Sequence, residues 1–353
     1  MDPIVVTSTE EATGKTAVSL GIAQLANAAG HSVGYMKPKG TRLQSATGKT
    51  RDEDPMLARE LLDLDAEMHE LEPIVYTPTF IEEAIRGREQ PDELRDRILE
   101  NYEKQADERD LVVVEGTDRL STGGIVDLTD PEIAEMIGAN VVLLSRYQEA
   151  GDVDEIIAAA EQIGDNFAGV LFNAVPDSEL DQLTTDVVPF LESRGIDVLG
   201  VMPRVKELAG MTVGELAERL GAEVLTTDVS TDVFIERFSV GAMSAEGALT
   251  QFRRTQNAAM ITGGDRSEIV TAALQASGIK CIILGGGFRP TGAVLGEAEK
   301  RGVPVLLLQS DTRMAIDRAE NVLQSGPTRN PETVDRMEQL LEDHADIDIL
   351  IGD

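Results

Sequence analysis

The sequence has few cations, few aromatic residues and a single cysteine. Its 353 residues hold 31 Lys plus Arg against 64 Asp plus Glu, a formal net charge of −33, and there are 8 Phe, 4 Tyr and no Trp. A chain this acidic repels nucleic acid phosphates and anionic lipid headgroups. Neither nucleic acid nor a membrane is therefore an expected partner.

The single cysteine, Cys281, excludes an intrachain disulfide framework and any metal site built from several cysteines. It lies within the apolar run Ile279–Leu284, which favours a buried core thiol over a reactive one. The sequence shows no signal peptide and no apolar stretch of membrane-spanning length. We expect a cytoplasmic protein.

The acidity itself has two interpretations. Hydrophobic residues make up 42% of the chain, which is enough to form a packed core, so the charge does not indicate disorder. An excess of acids with few lysines is typical of proteins that stay hydrated in concentrated salt, and a salt-loving host is the leading interpretation. An acidic surface that binds a partner protein is the alternative.

Short apolar runs alternate with amphipathic segments of helix length over the first 200 residues. Several of these runs are apolar at consecutive positions, as in strands buried on both faces of a parallel sheet. We predict an α/β fold with a doubly wound, mostly parallel sheet over residues 1–208, and a smaller α/β domain over 209–325. Residues 326–353 are predicted to form a helix and tail that pack on the second domain. The six runs are Pro3–Val6, Ser32–Met36, Leu111–Val114, Val141–Leu144, Ala168–Phe172 and Val198–Met202.

A phosphate-binding loop is predicted directly after the first strand. Gly14, Lys15 and Thr16 end the segment Val5–Thr16 and open an Ala-rich helix, the context in which helix N–H groups face a phosphate. The usual spacing places a glycine where Thr9 stands. A second Ala-Thr-Gly-Lys-Thr occurs at 46–50 without a preceding strand, and we interpret it as a chance copy, with a phosphate role for Lys49 as the alternative.

Five further segments, together with this loop, resemble the dethiobiotin synthetase family of P-loop proteins. The resemblance covers about residues 1–205, with Ser8 replacing a usual glycine, and it implies ATP and Mg²⁺ as cofactors. It implies that Lys15 and Lys37 act on phosphate, that Thr16, Asp54 and Glu115 hold Mg²⁺, and that Thr9, Gly14, Asn173 and Pro203 contact the nucleotide. The matching segments are Thr7–Thr16, Tyr35–Pro38, Val112–Gly116, Gly169–Asn173 and Val198–Pro203, with Asp54 opening a helix.

The second domain resembles the DRTGG domain. Glycines follow its predicted strands, and the stretch 251–313 holds 8 basic and 5 acidic residues in an otherwise acidic chain. We expect an anion-binding pocket there, with tight turns and ordinary ion pairing as the alternatives. The predicted ligand residues are Gly264, Asp265, Arg266, Gly286, Gly287 and Arg289.

This pair of domains also precedes the catalytic domain of long bacterial phosphotransacetylases and occurs in free-standing archaeal proteins resembling them. The sequence ends at Asp353, so phosphotransacetylase activity is not expected. The resemblance implies a nucleotide-dependent regulatory protein for acyl-CoA or acetate metabolism, with a small anionic metabolite on the second domain, an acyl-CoA enzyme as partner and a homodimeric state. The alternatives are an ATP-dependent ligase like dethiobiotin synthetase, a slow ATPase, and a non-catalytic interaction module.

Overall fold

The computed structural model describes residues 1–41, 43–46, 49–205, 208, 210–241, 245–324 and 330–352. They form two compact units, Met1–Arg204 with Arg329–Asp353, and Val205–Thr328. The predicted domain limits at Ala209 and at residues 325 and 326 lie outside the described residues. Among the described residues, no helix has the length and apolar character that crossing a bilayer requires.

The first unit is built on a six-stranded, entirely parallel sheet, in the order β10-β9-β8-β1-β7-β2. Strands β1, β2 and β7 are buried along their whole length, as their unbroken apolar sequences predict. All six strands end at one edge, called here the first carboxyl edge. The strands of this unit are β1 (Ile4–Ser8), β2 (Val33–Met36), β3 (Lys39–Gly40), β4 (Leu43–Ala46), β5 (Lys49–Asp52), β6 (Ile74–Val75), β7 (Leu111–Glu115), β8 (Asn140–Ser145), β9 (Phe167–Val175) and β10 (Val198–Pro203).

Several helices of the first unit begin at residues that favour a helix start. Pro78 and Pro91 stand in the first turns of two helices, where a missing N–H costs no hydrogen bond. Thr129 and Glu132 form a capping box at another helix start. The helices are α1 (Lys15–Ala28), α2 (Glu53–Leu61), α3 (Met68–Leu71), α4 (Pro78–Ile85), α5 (Pro91–Ala106), α6 (Asp130–Ile137), α7 (Val153–Ile163), α8 (Leu180–Gln182) and α9 (Val188–Glu192), with single turns at Gly124–Val126, Ala150–Asp152, Gly164–Asn166 and Leu183–Val187.

The second Ala-Thr-Gly-Lys-Thr does not open a helix. Ala46 ends β4 and Lys49 and Thr50 begin β5, in an antiparallel pairing that joins Ala46 to Lys49. Thr47 and Gly48 lie outside the described residues. A hairpin lacks the strand-to-helix turn from which a phosphate loop is built.

The prediction that the tail packs on the second domain is wrong. The last helices, Pro331–His344 and Ile347–Ile351, belong to the first unit. An added Cβ at Gly21 of α1 would lie 2.9 Å from Leu341 Cδ1, and Asp346 N donates to the Leu199 carbonyl at 2.7 Å. The apolar face of the tail helix packs closely against α1 because α1 carries a glycine at the contact. The tail therefore belongs to the first unit, although it follows the second unit in the sequence.

The second unit has a five-stranded sheet in the order β12-β17-β16-β15-β14. Four strands run parallel, and β12 pairs antiparallel with β17. The prediction of a smaller α/β domain is therefore confirmed. Its strands are β11 (Met211–Thr212), β12 (Glu223–Val224), β13 (Phe234–Ile235), β14 (Arg237–Val240), β15 (Ala258–Gly263), β16 (Ile279–Gly285) and β17 (Val305–Leu307), and its helices are α10 (Val213–Leu220), α11 (Ala245–Phe252), α12 (Ser267–Leu274), α13 (Gly292–Lys300) and α14 (Thr312–Gln324).

Cys281 lies on β16 in the core of this unit and is completely buried. Burial raises the pKa of its thiol well above the ordinary value, so the nucleophilic thiolate is suppressed. The prediction of a core thiol is confirmed.

Candidate functional site

The loop between β1 and α1 ends at a glycine in the left-handed backbone conformation. Gly14 has φ of 96°, and a Cβ added there would lie only 2.6 Å from Asn173 Nδ2, so glycine alone fits. Helix α1 starts at Lys15 without a side-chain cap. The Thr13 hydroxyl is buried, and its oxygen has no hydrogen-bond partner among the described residues. A helix N-terminus with these features is suited to a phosphate.

Lys15 begins α1, and its buried side chain reaches back to the end of β1. Its Nζ donates to Ser8 Oγ at 2.5 Å and to the Asp118 carbonyl at 3.2 Å. Ser8 Oγ in turn donates to the Glu10 carbonyl at 2.7 Å. The serine that replaces the family's glycine thus serves as a hydrogen-bond acceptor for the loop lysine.

Thr16, in the first turn of α1, is brought together with Glu115, which ends β7 at the first carboxyl edge. Thr16 Oγ1 donates to Glu115 Oε1 at 2.8 Å, and Tyr35 OH donates to Glu115 Oε2 at 2.7 Å. Burial, reinforced by the charge of Glu115, raises the pKa of Tyr35 well above its ordinary value. The phenol therefore stays protonated at neutral pH and keeps donating to the carboxylate.

Lys37 follows β2 and extends its ammonium into a group of carboxylates, called here the carboxylate cluster (Asp52, Asp54 and Glu115). Lys37 Nζ lies 2.8 Å from Asp52, forms an ion pair with Asp54 and lies 3.5 Å from Glu115. All four side chains are almost completely buried. Burial lowers the pKa of Lys37, but the charges of Asp54, Glu115 and Asp52 outweigh it and hold that pKa above the ordinary value.

The residues predicted to contact the nucleotide lie around the same loop. Asn173 is buried and its Nδ2 donates to the Thr13 carbonyl at 2.8 Å, so its amide supports the loop directly. Thr9 follows β1 and is half-buried. Pro203, also half-buried, ends β10 and pairs with Val175 of β9, two residues beyond Asn173. The structure thus brings Thr9, Gly14 and Asn173 to one loop and places Pro203 at the adjacent strand end.

These residues fit the chemistry of a magnesium–nucleotide site. The buried, unpartnered Thr13 hydroxyl and the glycine cradle suit phosphate oxygens, and Thr16, Asp54 and Glu115 supply the hard oxygen ligands that Mg²⁺ prefers. Within the described ranges, no group of three or more His, Cys, Asp or Glu side chains is arranged to hold a metal ion. Mg²⁺ would accordingly depend on nucleotide oxygens for part of its coordination, as it commonly does.

In the second unit, the predicted ligand residues lie at the ends of β15 and β16, called here the second carboxyl edge. Gly286 and Gly287 have φ of 85° and 69°. A Cβ on Gly264 would overlap the Phe288 carbonyl. The amides of Gly264, Gly286 and Gly287 donate to the carbonyls of Gly285, Ser310 and Leu308. These glycines therefore have a structural reason to be glycine: they form hydrogen-bonded turns.

The charged residues of the second carboxyl edge are exposed or tied to neighbours. Arg289 Nη2 donates to both carboxylate oxygens of Glu223 at 2.6 Å, with Arg289 59% exposed. Arg266 donates to the Gly241 carbonyl at 2.7 Å, and Asp265 is exposed. Phe288 is 63% exposed beside them. Ordinary ion pairing, the alternative considered from the sequence, accounts for Arg289 in this structure.

Several residues of the first site were not predicted. Asp52 accepts a hydrogen bond from the Asp54 amide at the start of α2 and also binds Lys37. Lys39 is buried, forms an ion pair with Asp130 at 3.2 Å and donates to the Thr122 and Leu128 carbonyls. The sequence feature that could have predicted Asp52 is the Asp-Glu-Asp run at 52–54, which follows a basic segment. For Lys39 the sequence offers no indication other than its position two residues after Lys37.

Comparison with known proteins agrees with this architecture. Residues 2–212 match the model of an AAA domain family, AAA_26, and residues 215–322 match the DRTGG domain. The ATP-dependent dethiobiotin synthetase BioD of Methanocaldococcus jannaschii is 26% identical over 181 residues, covering 49% of this chain and 80% of that protein. Both resemblances inferred from the motifs are confirmed.

Phosphate acetyltransferases match across both units. The protein from Nitratidesulfovibrio vulgaris is 26% identical over 325 residues, which cover 86% of this chain and 44% of that protein. The protein from Pseudomonas putida is 23% identical over 365 residues, covering 98% of this chain and 51% of that protein. The chain thus spans about half the length of these relatives.

Proposed function

Because the chain belongs to the AAA domain family AAA_26 and carries a DRTGG domain after it, we propose that it is a regulatory protein that binds ATP with Mg²⁺ in its first unit. The observation that carries the proposal is the convergence of buried ionic groups at the first carboxyl edge. Lys15, Lys37 and Glu115 are each at least nine-tenths buried there, beside a glycine turn and a helix N-terminus. Doubly wound sheets bind ligands at this edge.

Each group has a role in nucleotide binding. The α1 N-terminus and the Lys15 ammonium would neutralise the phosphates, and the Asn173 amide would keep the loop carbonyl of Thr13 turned away from them. Thr16, Asp54 and Glu115 would hold Mg²⁺, which supplies charge neutralisation at the phosphate oxygens when bound. Thr9 and Pro203 lie at the strand ends where the rest of the nucleotide would rest.

Equilibrium binding of labelled ATP tests this assignment. Replacing Lys15 with alanine removes a charge-assisted hydrogen-bond donor and should weaken binding roughly 10- to 100-fold. Lys49→Ala, in the second copy of the same pentapeptide, is the matched control and should bind like the wild type. Equal affinity of Lys15→Ala and the wild type would contradict the phosphate-loop assignment.

For the second unit we propose a small anionic metabolite, of the nucleotide or acyl-CoA type, as the regulatory ligand. The exposed Phe288 ring offers a stacking surface next to Arg289 and Arg266. An anion would compete with Glu223 for the Arg289 guanidinium, so Arg289→Ala should abolish the response. A thermal-shift screen with nucleotides and CoA metabolites in high salt, on wild type and variant, measures this. No ligand-dependent shift in the wild type would argue against the pocket.

We expect such a regulator to act as a homodimer. It would bind an acyl-CoA enzyme and change the activity of that enzyme. The match to phosphate acetyltransferases across both units supports that choice of partner. Light scattering measures the oligomeric state. To test the regulation, the acetyl transfer rate of a purified phosphate acetyltransferase is measured with and without this protein, in the presence and absence of ATP. Acetyl transfer by the chain alone would contradict the proposal.

A second candidate is an ATP-dependent ligase that activates a carboxylate or carbamate. The observation favouring it is that two lysines, Lys15 and Lys37, converge on the same edge beside Thr16, where charge on a transferred phosphoryl group would develop. Conversion of 7,8-diaminopelargonic acid and CO₂ to dethiobiotin with ATP is the assay. Product formed by the wild type and lost in Lys37→Met would favour the ligase over the regulator.

A further inference from the structure

The Lys37 ammonium lies among three carboxylates at the first carboxyl edge. It is enclosed by the carboxylate cluster, at 2.8 Å from Asp52 and 3.5 Å from Glu115 and in an ion pair with Asp54. Each side chain is at most 3% exposed. Lys37 thus contacts three carboxylates in a nearly water-free site. Buried carboxylates without compensating cations are strongly unfavourable.

We infer that Lys37 is a built-in counter-ion that holds the carboxylate cluster in the absence of metal and is displaced from Asp54 and Glu115 when a divalent cation binds. The inference rests on the proposed function, because two of its carboxylates are those assigned to Mg²⁺. An ammonium group and a divalent cation at the same two carboxylates would repel each other strongly at low dielectric. The two cations therefore compete for the cluster.

Asp52 gives the displaced ammonium a partner. It lies 2.8 Å from Lys37 Nζ but is not among the residues assigned to the metal, and its other carboxylate oxygen caps α2 through the Asp54 amide. Lys37 can consequently release Asp54 and Glu115 without losing every counter-charge. The ammonium then becomes available to a phosphate bound at the loop, which ties metal binding to phosphate binding.

A second observation concerns a buried carboxyl group that follows a contact of Lys37. The Lys37 amide donates to the carbonyl of Leu71, the residue before Glu72, at 2.8 Å. Glu72 is 6% exposed, and its Oε1 has no hydrogen-bond partner within the described part of the chain. A buried carboxyl oxygen without a partner is expected where an ion or a water molecule binds.

Lys39 provides a matched contrast two residues away. It is equally buried, but it faces a single carboxylate, Asp130 at 3.2 Å, and two main-chain carbonyls. Lys39 pairs with a carboxylate that is not assigned to the metal. Lys39 is therefore a structural lysine, and removing it leaves the carboxylate cluster unchanged.

The first experiment measures Mn²⁺ binding, as a probe for Mg²⁺, in the absence of nucleotide for wild type, Lys37→Met and Lys39→Met. Removing the competing ammonium should tighten Mn²⁺ binding by at least about tenfold in Lys37→Met, and Lys39→Met should match the wild type. Lys37→Met that is folded and binds Mn²⁺ no tighter than the wild type would overturn the inference.

The second experiment uses the wild type alone, so it does not depend on a variant that folds. Acetylation of individual lysines is followed by mass spectrometry with and without Mg²⁺, again without nucleotide. Lys37 should be modified several-fold faster with Mg²⁺, and Lys39 should not change. Equal Lys37 rates in the two conditions would overturn the inference. Failure of ATP to bind would show separately in the Lys15→Ala comparison, since neither experiment here contains nucleotide.

Discussion

The two carboxyl edges of this molecule are built alike, but they differ in whether their charged side chains are buried. Each edge is formed by the ends of parallel strands, and each has glycines in the turns that follow. At the first edge Lys15, Lys37 and Glu115 are buried, whereas at the second edge Arg289 and its partner Glu223 are 59% and 50% exposed. Burying a charge requires a fixed partner, while exposed pairs form wherever two side chains can reach each other.

This difference indicates which edge is specialised. The fold sustains a cluster of buried ions at the first edge, at a cost that only complete pairing or a ligand offsets. At the second edge the glycine amides are already bonded to carbonyls, and the charged side chains reach into solvent. Four substitutions test whether buried charge at one edge and exposed charge at the other have the different consequences that this comparison requires.

The largest effect is expected from Asp130→Ala at the first edge. Asp130 accepts from Thr7 Oγ1 at 2.7 Å and from the Thr117 amide at 3.1 Å, and it pairs with Lys39. Removing it leaves a buried ammonium without its carboxylate and should cost about 3–5 kcal/mol. Urea unfolding followed by tyrosine fluorescence measures this, since all four tyrosines lie in the first unit. A loss below about 1 kcal/mol would show that the pair behaves like a surface pair.

Gly264→Ala probes the second edge, where we expect glycine to matter more than charge. The new Cβ would overlap the Phe288 carbonyl, which as backbone cannot move aside easily, so a loss of about 2–3 kcal/mol is expected. Gly296→Ala in helix α13 is the control, with nothing within 4 Å of its added Cβ, and should stabilise by about 0.5–1 kcal/mol. Hydrogen exchange of β15 and β16 gives both values. If Gly264→Ala leaves the free energy of unfolding unchanged, this turn is open enough to admit a ligand.

Glu72→Gln should show a pH-dependent effect at the first edge. Burial, with the charge of Asp52, raises the pKa of Glu72 to about 7. Because the folded state then binds the proton more tightly than the unfolded state, stability falls as the pH rises from the ordinary glutamate value to about 7. The glutamine variant should exceed the wild type by roughly 1–3 kcal/mol at pH 8 and by much less at pH 5. Urea unfolding at both pH values tests this, and an equal difference at the two would contradict it.

The smallest effect is expected from Glu223→Ala at the second edge. It removes both hydrogen bonds of an exposed pair with Arg289 and should cost no more than about 1 kcal/mol, decreasing further in high salt. Thermal unfolding, monitored by circular dichroism at two salt concentrations, measures this loss of stability and its dependence on salt. A loss comparable to that of Asp130→Ala would erase the distinction between the two edges.

The sequence predicted the fold class because its signals are local. Unbroken apolar runs such as Leu111–Val114 indicate doubly buried strands, and Gly14 before Lys15 and Thr16 predicts the turn into α1. The position of the tail was not predictable in this way. Its helix Pro331–His344 follows the second unit in the chain, and only the fit of its apolar face against Gly21 of α1 places it on the first.

The sequence alone determined which residues stand at strand ends, because strand burial and glycine turns depend on neighbours in the chain. The tertiary structure alone decided which of those residues meet. Lys37 and Glu115 are 78 positions apart in the sequence, yet Lys37 Nζ lies 3.5 Å from the Glu115 carboxylate, since β2 and β7 are neighbouring parallel strands whose ends meet at one edge. The role of individual charges is also decided by the tertiary structure. The net charge of −33 is a property of the whole sequence, whereas the ion pairs of Lys37 with Asp52, Asp54 and Glu115 form because folding buries these four side chains together.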